Sequence, residues 1–247
     1  MREKFSCWLL GFGVCLIIGI WLLGFAPAGA MGGPPPKKTE AAAPVVLAGK
    51  VFLIDDFESG SLKSPREWWV FDIKKGEVVS NKDLKDGEPE AVKAVGNYSF
   101  HFEGDTTSWY CGGAGTYLAR PAQDLSVYKN VQMDIYGNGS GSGMLKIELY
   151  DDDDGNWQMG QDPDKGYAPL YDDRFVYEEK VDWKGWKKVI IPIADFVDDN
   201  PKVGDDIWNP QQAGGSGGLL QVQFICIANT SRGIVNFMVD NLSLTME

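Results

Sequence analysis

Histidine is almost absent from this chain, and basic residues are scarce. Among 247 residues there is one histidine, His101, and 23 Lys and Arg residues stand against 35 Asp and Glu residues, for a formal net charge of −12. A single imidazole argues against histidine-rich zinc sites and against a catalytic dyad built on a second histidine. The acidic excess repels phosphate backbones and argues against nucleic acid as a partner. The sequence also lacks HExxH, CxxC and phosphate-loop motifs.

The amino terminus predicts a secretory signal peptide over residues 1–30. Arg2 and Lys4 precede an apolar run from residue 8 to residue 25, and the segment ends on Ala28-Gly29-Ala30. This small-x-small pattern predicts cleavage after Ala30, which gives an exported protein that is secreted, periplasmic or on the cell surface. The apolar run is also close to the length that spans a bilayer, so an uncleaved membrane anchor is the alternative.

The rest of the chain divides into a short linker and one domain. Residues 31–44 are rich in Pro, Gly and Ala and predict a linker, and residues 45–247 predict the domain. Cys111 and Cys226 are the only cysteines outside the signal. In an exported chain they form either one disulfide or two buried free thiols, and sequence alone leaves both open.

The domain has the hydrophobic period of β-strands. Apolar residues alternate with polar ones around residues 98–103, 131–136, 145–150 and 222–226, and glycine-rich turns separate these segments. No sustained helical stripe occurs. The pattern predicts an all-β fold, a two-sheet antiparallel jelly-roll sandwich.

Three ordered segments carry a resemblance to a known family. They are VFLIDDFE at 51–58, WKKVIIPIADF at 186–196 and FMVDNLSL at 237–244, with support from GDTTSWY at 104–110 and VQFICIAN at 222–229. Together they resemble the family 11 carbohydrate-binding modules and their galactose-binding-like relatives. The resemblance implies a jelly roll that binds a poly- or oligosaccharide without catalysis, a structural calcium, and a separate secreted enzyme as a possible partner. Family members that bind glucan carry a tyrosine where this chain has Cys226.

Candidate glycan-binding residues combine aromatic rings with polar groups, because sugars stack on flat faces and form many hydrogen bonds. The resemblance places a stacking tyrosine at Tyr110 and polar contacts in the stretch before the strand at residue 175. Trp68, Trp69, Trp183 and Trp186 are expected to pack in the core or at an edge. The full predicted set is Trp109, Tyr110, Trp157, Tyr171, Asp172, Asp173 and Arg174.

Calcium is the expected cofactor, with Asp56, Glu58 and Asp240 as its ligands. The resemblance makes the first and last strands neighbours, which would bring these carboxylates around one ion. The run Asp151–Asp154 does not fit an EF-hand, because counting from Gly155 puts Tyr150 at the first ligand position. Four consecutive acids are more typical of a solvated loop than of a metal cage, so a solvated loop is expected here and a metal site at this run is the alternative.

Two other functions remain open at this stage. The same fold serves as a protein-interaction or assembly domain, which in this case would act in the cell envelope without binding glycan. A glycoside-active enzyme needs only two carboxylates, but an acidic chain places such pairs by chance. We therefore expect no catalytic residues, and membrane contact only through an uncleaved signal.

Overall fold

A computed structural model describes residues 45–46, 49–118, 123–211, 217–228 and 233–247. These residues belong to one structural unit, 42–247. The predicted signal at 1–30 and the predicted linker at 31–44 lie outside the described residues. No helix within the described ranges is long and apolar enough to cross a membrane.

Strands dominate the structure. Among the described residues there are one short helix, α1 (Pro89–Ala94), and two 3-10 turns, Pro163–Lys165 and Ile193–Asp195. The strands are β1 (Val45–Val46), β2 (Val51–Asp55), β3 (Trp68–Phe71), β4 (Lys75–Ser80), β5 (Tyr98–Asp105), β6 (Tyr110–Tyr117), β7 (Gln123–Asp124), β8 (Asn130–Asn138), β9 (Met144–Asp152), β10 (Gln161–Asp162), β11 (Ala168–Pro169), β12 (Asp173–Lys180), β13 (Lys184–Pro192), β14 (Val197–Asp198), β15 (Gly218–Ile227) and β16 (Ile234–Thr245).

Two six-stranded antiparallel sheets form a sandwich. The front sheet has the order β14-β12-β9-β15-β6-β3, and the back sheet has the order β13-β8-β16-β5-β4, with β2 paired to the end of β16. Neighbouring strands in each sheet are rarely consecutive in the sequence, which is typical of a jelly roll. The predicted two-sheet all-β jelly roll is confirmed.

The core lies between the two sheets. Alternate residues of β9 and β15 face it from the front sheet, among them Ile147 and Phe224, and Phe100 and Phe237 face it from the back sheet. Trp68 is buried there and stacks on Phe224 with ring centroids 5.5 Å apart. Since strand side chains alternate between faces, the other residues of the front sheet point away from the core.

Candidate functional site

The face of the front sheet that points away from the core carries rows of polar side chains. Gln221 on β15 pairs in register with Tyr150 on β9, which pairs in turn with Arg174 on β12. In the next row, Gln223 pairs with Glu148. All of these side chains are buried except Arg174, which is half-buried. We call these five residues the polar rows, and they offer donors and acceptors suited to a hydroxyl-rich ligand.

Hydrogen bonds and ion pairs fix the polar rows in place. The Tyr150 hydroxyl donates to Glu148 Oε2 at 2.5 Å. Lys146 Nζ lies 3.0 Å from Glu148 Oε1 and 3.0 Å from Asp199 Oδ2, and Arg174 Nη2 lies 2.8 Å from the same Asp199 oxygen. Burial, together with the adjacent Glu148 carboxylate, raises the pKa of Tyr150, so its hydroxyl stays protonated. The network therefore fixes the positions of these polar atoms.

An aromatic pair borders the polar rows on the side of β3. The Trp69 ring lies 5.3 Å from the Tyr117 ring, measured between centroids, at an interplanar angle of 45°. Trp69 pairs in register with Gly115, and a Cβ on Gly115 would lie 2.4 Å from Trp69 Cζ2 and 3.0 Å from Gln223 Cγ. The indole thus lies close over a glycine, next to a residue of the polar rows.

A cavity opens beside this aromatic pair. Its volume is about 520 Å³, within the range of small-molecule sites. Its lining residues are Pro65, Arg66, Glu67, Trp69, Thr116, Tyr117 and Leu118. Sequence reasoning predicts packing in the core or at an edge for Trp69, and the structure places it on the outer side of the edge strand β3, against Tyr117. The adjacent tryptophan, Trp68, is buried in the core. Because consecutive side chains of a strand point to opposite faces, Trp69 must then point outward.

The loop aromatics of the predicted set lie at two opposite ends of the front sheet. Trp109 and Tyr110 lie at the start of β6, which is level with the start of β9. Trp157 and Tyr171 follow the end of β9 and precede β12. The eight residues of β6 span roughly 25 Å, so the two pairs do not form one site.

Trp109 and Tyr110 differ in how freely their rings meet solvent. Trp109 is 60% exposed, and its ring makes an edge contact with Tyr110 at 5.7 Å. The Tyr110 hydroxyl donates to Asp72 Oδ2 at 2.9 Å. Burial, followed by the Asp72 carboxylate, raises the pKa of Tyr110, so this hydroxyl remains a donor to Asp72.

The run Asp151–Asp154 forms two acidic groups with Asp172 and Asp173. The first acid group is Asp151, Asp153 and Asp173, and the second acid group is Asp152, Asp154 and Asp172. Within each group, one carboxylate oxygen per residue lies within 4.8 Å of the other two. The groups separate because strand side chains alternate and because Asp151 pairs in register with Asp173 across β9 and β12. These aspartates could hold a metal ion.

The expectation of a solvated four-aspartate loop is wrong. Asp151 and Asp152 are the last residues of β9 and are fully buried, Asp153 is half-buried, and only Asp154 is exposed. Sequence reasoning treated the four charges as a loop and did not see that β9 continues into them.

Asp172 and Asp173 are also fully buried, inside the two acid groups rather than on an open surface. Burial, followed by the charges of Asp152 and Asp154, raises the pKa of Asp172 to about 7. Burial, followed by the charge of Asp153, raises the pKa of Asp173 to about 7. Such positions suit a bound cation better than hydrogen bonds to a glycan at the surface. Arg174, the next residue, belongs to the polar rows.

Asp56, Glu58 and Asp240 are near each other but are tied to different partners. Burial raises the pKa of Asp240 to about 8, and the charges of Glu58 and Asp56 contribute to this shift. Glu58 Oε1 accepts hydrogen bonds from the backbone of Asn97 at 2.7 Å and of Tyr98 at 2.9 Å. Within the described ranges, the three carboxylates are not among the groups whose oxygens all lie within 4.8 Å. A calcium site on these residues stays a prediction.

The two cysteines of the domain and the single histidine have partners of their own. Cys111 and Cys226 are both buried free thiols. Burial raises the pKa of each, and for Cys226 the neighbouring Cys111 contributes. His101 Nε2 shares a hydrogen bond with Asn236 Oδ1 at 3.1 Å.

No family model and no curated protein matches this sequence. Solved structures similar to the chain include a family 11 carbohydrate-binding module of the cellulosomal cellulase Lic26A-Cel5E of Clostridium thermocellum, at 18% identity and a TM-score of 0.43, covering 79% of this chain and 94% of that one. A family 11 module from Clostridium thermocellum in complex with a β-1,3-1,4-mixed-linked tetrasaccharide is 19% identical, with a TM-score of 0.45 and coverages of 79% and 95%. The xylan-binding domain CBM22-2 from Paenibacillus barcinonensis Xyn10C is 17% identical, with a TM-score of 0.40 and coverages of 77% and 96%.

Proposed function

We propose that this chain is an exported, non-catalytic carbohydrate-binding protein that holds a poly- or oligosaccharide against the outer face of its front sheet. Stacking on Trp69 and Tyr117 supplies the apolar contact, and the polar rows supply hydrogen bonds to sugar hydroxyls. Export rests on the signal-like pattern of residues 1–30.

One observation carries the proposal, the adjacency of the Trp69–Tyr117 pair to the polar rows. A pyranose presents C–H groups on its faces and hydroxyls around its rim, so a ring that stacks on Trp69 directs hydroxyls toward neighbouring polar groups. Gln223 is close to Trp69, and Gln223 Nε2 donates to Gln221 Oε1 at 2.9 Å. A glutamine amide both donates and accepts, which matches the two roles of a hydroxyl.

Open hydrogen-bonding capacity further along the same rows supports an extended ligand. Arg174 Nε is buried without an acceptor among the described residues. Its pairing with Asp199 leaves this donor unused, and an unpaired buried donor costs free energy that a ligand oxygen would recover. A glycan chain that runs from Trp69 across β6, β15 and β9 to β12 would reach it.

A structural calcium on Asp56, Glu58 and Asp240 is part of the proposal. Asp240 Oδ2 is buried without a hydrogen-bond partner in the described part of the chain. Asp56 lies directly after β2, and Asp240 lies on β16, the strand that β2 pairs with. A cation at this position would hold β2 to β16, the last strand.

Isothermal titration calorimetry against soluble β-glucans, xylans and galactans tests the glycan site. We expect the wild-type protein to bind at least one of them. Taking the roughly 1–3 kcal/mol of base–aromatic stacking as the scale for one stacked ring, Trp69→Ala should reduce that affinity about 5- to 150-fold. Trp109→Ala and Trp157→Ala are the matched controls, because each removes a tryptophan at a different end of the front sheet.

The control variants distinguish a glycan site at Trp69 from one at Trp109, and the wild-type measurements distinguish glycan binding from the alternative functions. Loss of binding in Trp109→Ala with full binding in Trp69→Ala would move the site to the loop at the start of β6. Failure of the wild-type protein to bind any polysaccharide would overturn the glycan proposal and favour the assembly-domain alternative. Release of reducing sugar from the same polysaccharides would overturn the non-catalytic part.

A further inference from the structure

The first acid group, Asp151, Asp153 and Asp173, lies where β9 ends beside the start of β12. Asp151 and Asp173 are register partners on these two strands. Both are fully buried, with 0% of their surface exposed. Three carboxylates thus meet where β9 ends and β12 begins, next to the polar rows.

One oxygen of each carboxylate in this group is held by a backbone amide. Asp151 Oδ2 accepts from Asn209 N at 2.8 Å, and Asp173 Oδ2 accepts from Ile207 N at 3.1 Å. Asp153 Oδ2 accepts from Asp173 N at 2.9 Å. These bonds orient all three carboxylates before any ligand arrives, and they connect the two strands to the segment at 207–209.

The other oxygen of each carboxylate is left without a partner. Oδ1 of Asp151, Asp153 and Asp173 is buried and accepts no hydrogen bond from any described residue. No ion pair within the described ranges joins one of these carboxylates to a Lys or Arg side chain. Burying three unpaired acceptors is costly unless something cationic or a proton neutralises them.

The backbone of Gly204 lies directly against these carboxylates. A Cβ at this position would lie 2.3 Å from Asp173 Oδ1 and 2.3 Å from Asp153 Oδ2. Gly204 also has a φ of +76°, a conformation that disfavours residues with side chains. The next residue, Asp205, is close enough that its charge raises the pKa of Asp151, Asp153 and Asp173 after the larger effect of burial.

The second acid group shares this property only at Asp172, whose Oδ2 is buried without a hydrogen-bond partner within the described ranges. Asp152 accepts from Gly155 N at 2.8 Å and from Trp157 N at 2.6 Å, one bond on each oxygen. Both oxygens of Asp154 accept from Asn156. The oxygens of Asp152 and Asp154 are thus occupied by hydrogen bonds to the loop at 155–157. A variant in the second acid group is therefore a suitable control for variants in the first.

We infer that Asp151, Asp153 and Asp173 bind one divalent cation, Ca²⁺, through their unpartnered Oδ1 atoms. The group offers only oxygen ligands, the type that hard cations prefer. Calcium fits better than magnesium, since magnesium retains most of its waters and is usually held by one or two carboxylates, whereas this group presents three. The bound ion would tie the end of β9 and the start of β12 to the segment around Gly204.

Calorimetric titration of the purified full-length protein with CaCl₂, after removal of metals by EGTA, tests this inference at about pH 7.5. We expect Ca²⁺ to bind, Mg²⁺ to bind at least about tenfold more weakly, and the double variant Asp151→Asn/Asp173→Asn to lose one equivalent of bound Ca²⁺. Asp154→Asn, which removes one charge from the second acid group, is the matched control and should keep that equivalent. Asp240→Asn identifies any equivalent bound at the other predicted calcium site.

Far-UV circular dichroism confirms that each variant is folded. If the double variant does not fold, Gly204→Ala replaces it, because its Cβ would displace the Asp153 and Asp173 carboxylates without removing either of them. Equal Ca²⁺ stoichiometry and affinity in the wild-type protein and in the variant that folds would overturn the inference. Absence of any Ca²⁺ binding to the wild-type protein would overturn it as well, and neither outcome depends on glycan binding.

Discussion

The indole of Trp69 lies over Gly115, its register partner on the neighbouring strand β6. Any side chain at residue 115 would meet the ring at 2.4 Å from the Cβ, so the ring has its position only because this residue is glycine. The proposed stacking surface therefore depends on two residues, one that provides the ring and one that makes room for it.

Gly115→Ala is predicted to displace the Trp69 ring. We expect a loss of stability of about 1–3 kcal/mol from overpacking, and weaker binding of the glycan that the wild-type protein binds. Chemical denaturation measures the first effect and calorimetry the second. Gly160→Ala is the control, because its Cβ would make only an ordinary contact at 3.5 Å with Tyr171. Unchanged glycan affinity in Gly115→Ala would show that the position of the ring does not matter.

Adjacent tryptophans are predicted to have different roles. Trp68 is 1% exposed and its Nε1 donates to Asp55 Oδ2 at 2.9 Å, so Trp68→Ala should cost about 3–5 kcal/mol of stability. Trp69 is half-buried, and Trp69→Ala should cost only about 1–2 kcal/mol. Urea denaturation of both variants measures the difference. Equal losses would mean that both rings pack in the core.

The sequence predicts the sandwich because strand periodicity is a local signal. The alternation around Phe100, Ile147 and Phe224 is visible in any short window, and all three face the core as expected. Which of two adjacent tryptophans faces inward is a question of register, and a shift of one residue reverses the answer. The stacking surface at Trp69 also depends on a glycine about 46 residues away, a pairing that exists only once β3 lies beside β6.

Calcium is predicted to stabilise the protein more at higher pH. Burial raises the pKa of Asp153 to about 6, of Asp173 to about 7 and of Asp151 to about 8, above the value of an unfolded aspartate. Without calcium the native state binds these protons more tightly than the unfolded chain, so stability falls as the pH rises through about 6 to 8. Calcium replaces the protons, and its stabilising effect should therefore grow across this range.

Thermal unfolding with CaCl₂ and with EGTA measures this effect. At a calcium concentration about 100 times the dissociation constant, the expected stabilisation is about 2.7 kcal/mol, or roughly 5–10 °C in melting temperature for a domain of this size. The shift should be small at about pH 5 and full at about pH 9. A shift that is the same at both pH values would contradict proton displacement from these carboxylates.

The acid groups illustrate what sequence reasoning misses in polar segments. Four consecutive aspartates give no hydrophobic period, so nothing in the sequence marks Asp151 and Asp152 as the end of a buried strand. Alternation then sends neighbours into different groups, and each group is completed by Asp172 or Asp173 from the next long strand. The four consecutive aspartates are visible in the sequence. Their division into two groups cannot be predicted without knowing that β9 pairs with β12.

Both cysteines of the domain are predicted to resist alkylation in the native protein. Burial raises the pKa of Cys111 and of Cys226, which lowers the fraction of reactive thiolate at about pH 8 and also blocks access. Mass spectrometry after treatment with iodoacetamide should find both unmodified in the native state. Both should be modified in guanidinium without reductant, whereas resistance under those conditions would indicate a disulfide.

Calorimetric titration of the wild-type protein and of Trp69→Ala with the same soluble polysaccharide tests the central claim most directly. The account predicts measurable heat of binding for the wild-type protein and wild-type affinity in Trp157→Ala. In Trp69→Ala it predicts a loss of affinity of about 5- to 150-fold, on the roughly 1–3 kcal/mol scale of base–aromatic stacking. Equal affinity of the wild-type protein and Trp69→Ala would contradict a glycan site on the outer face of the front sheet.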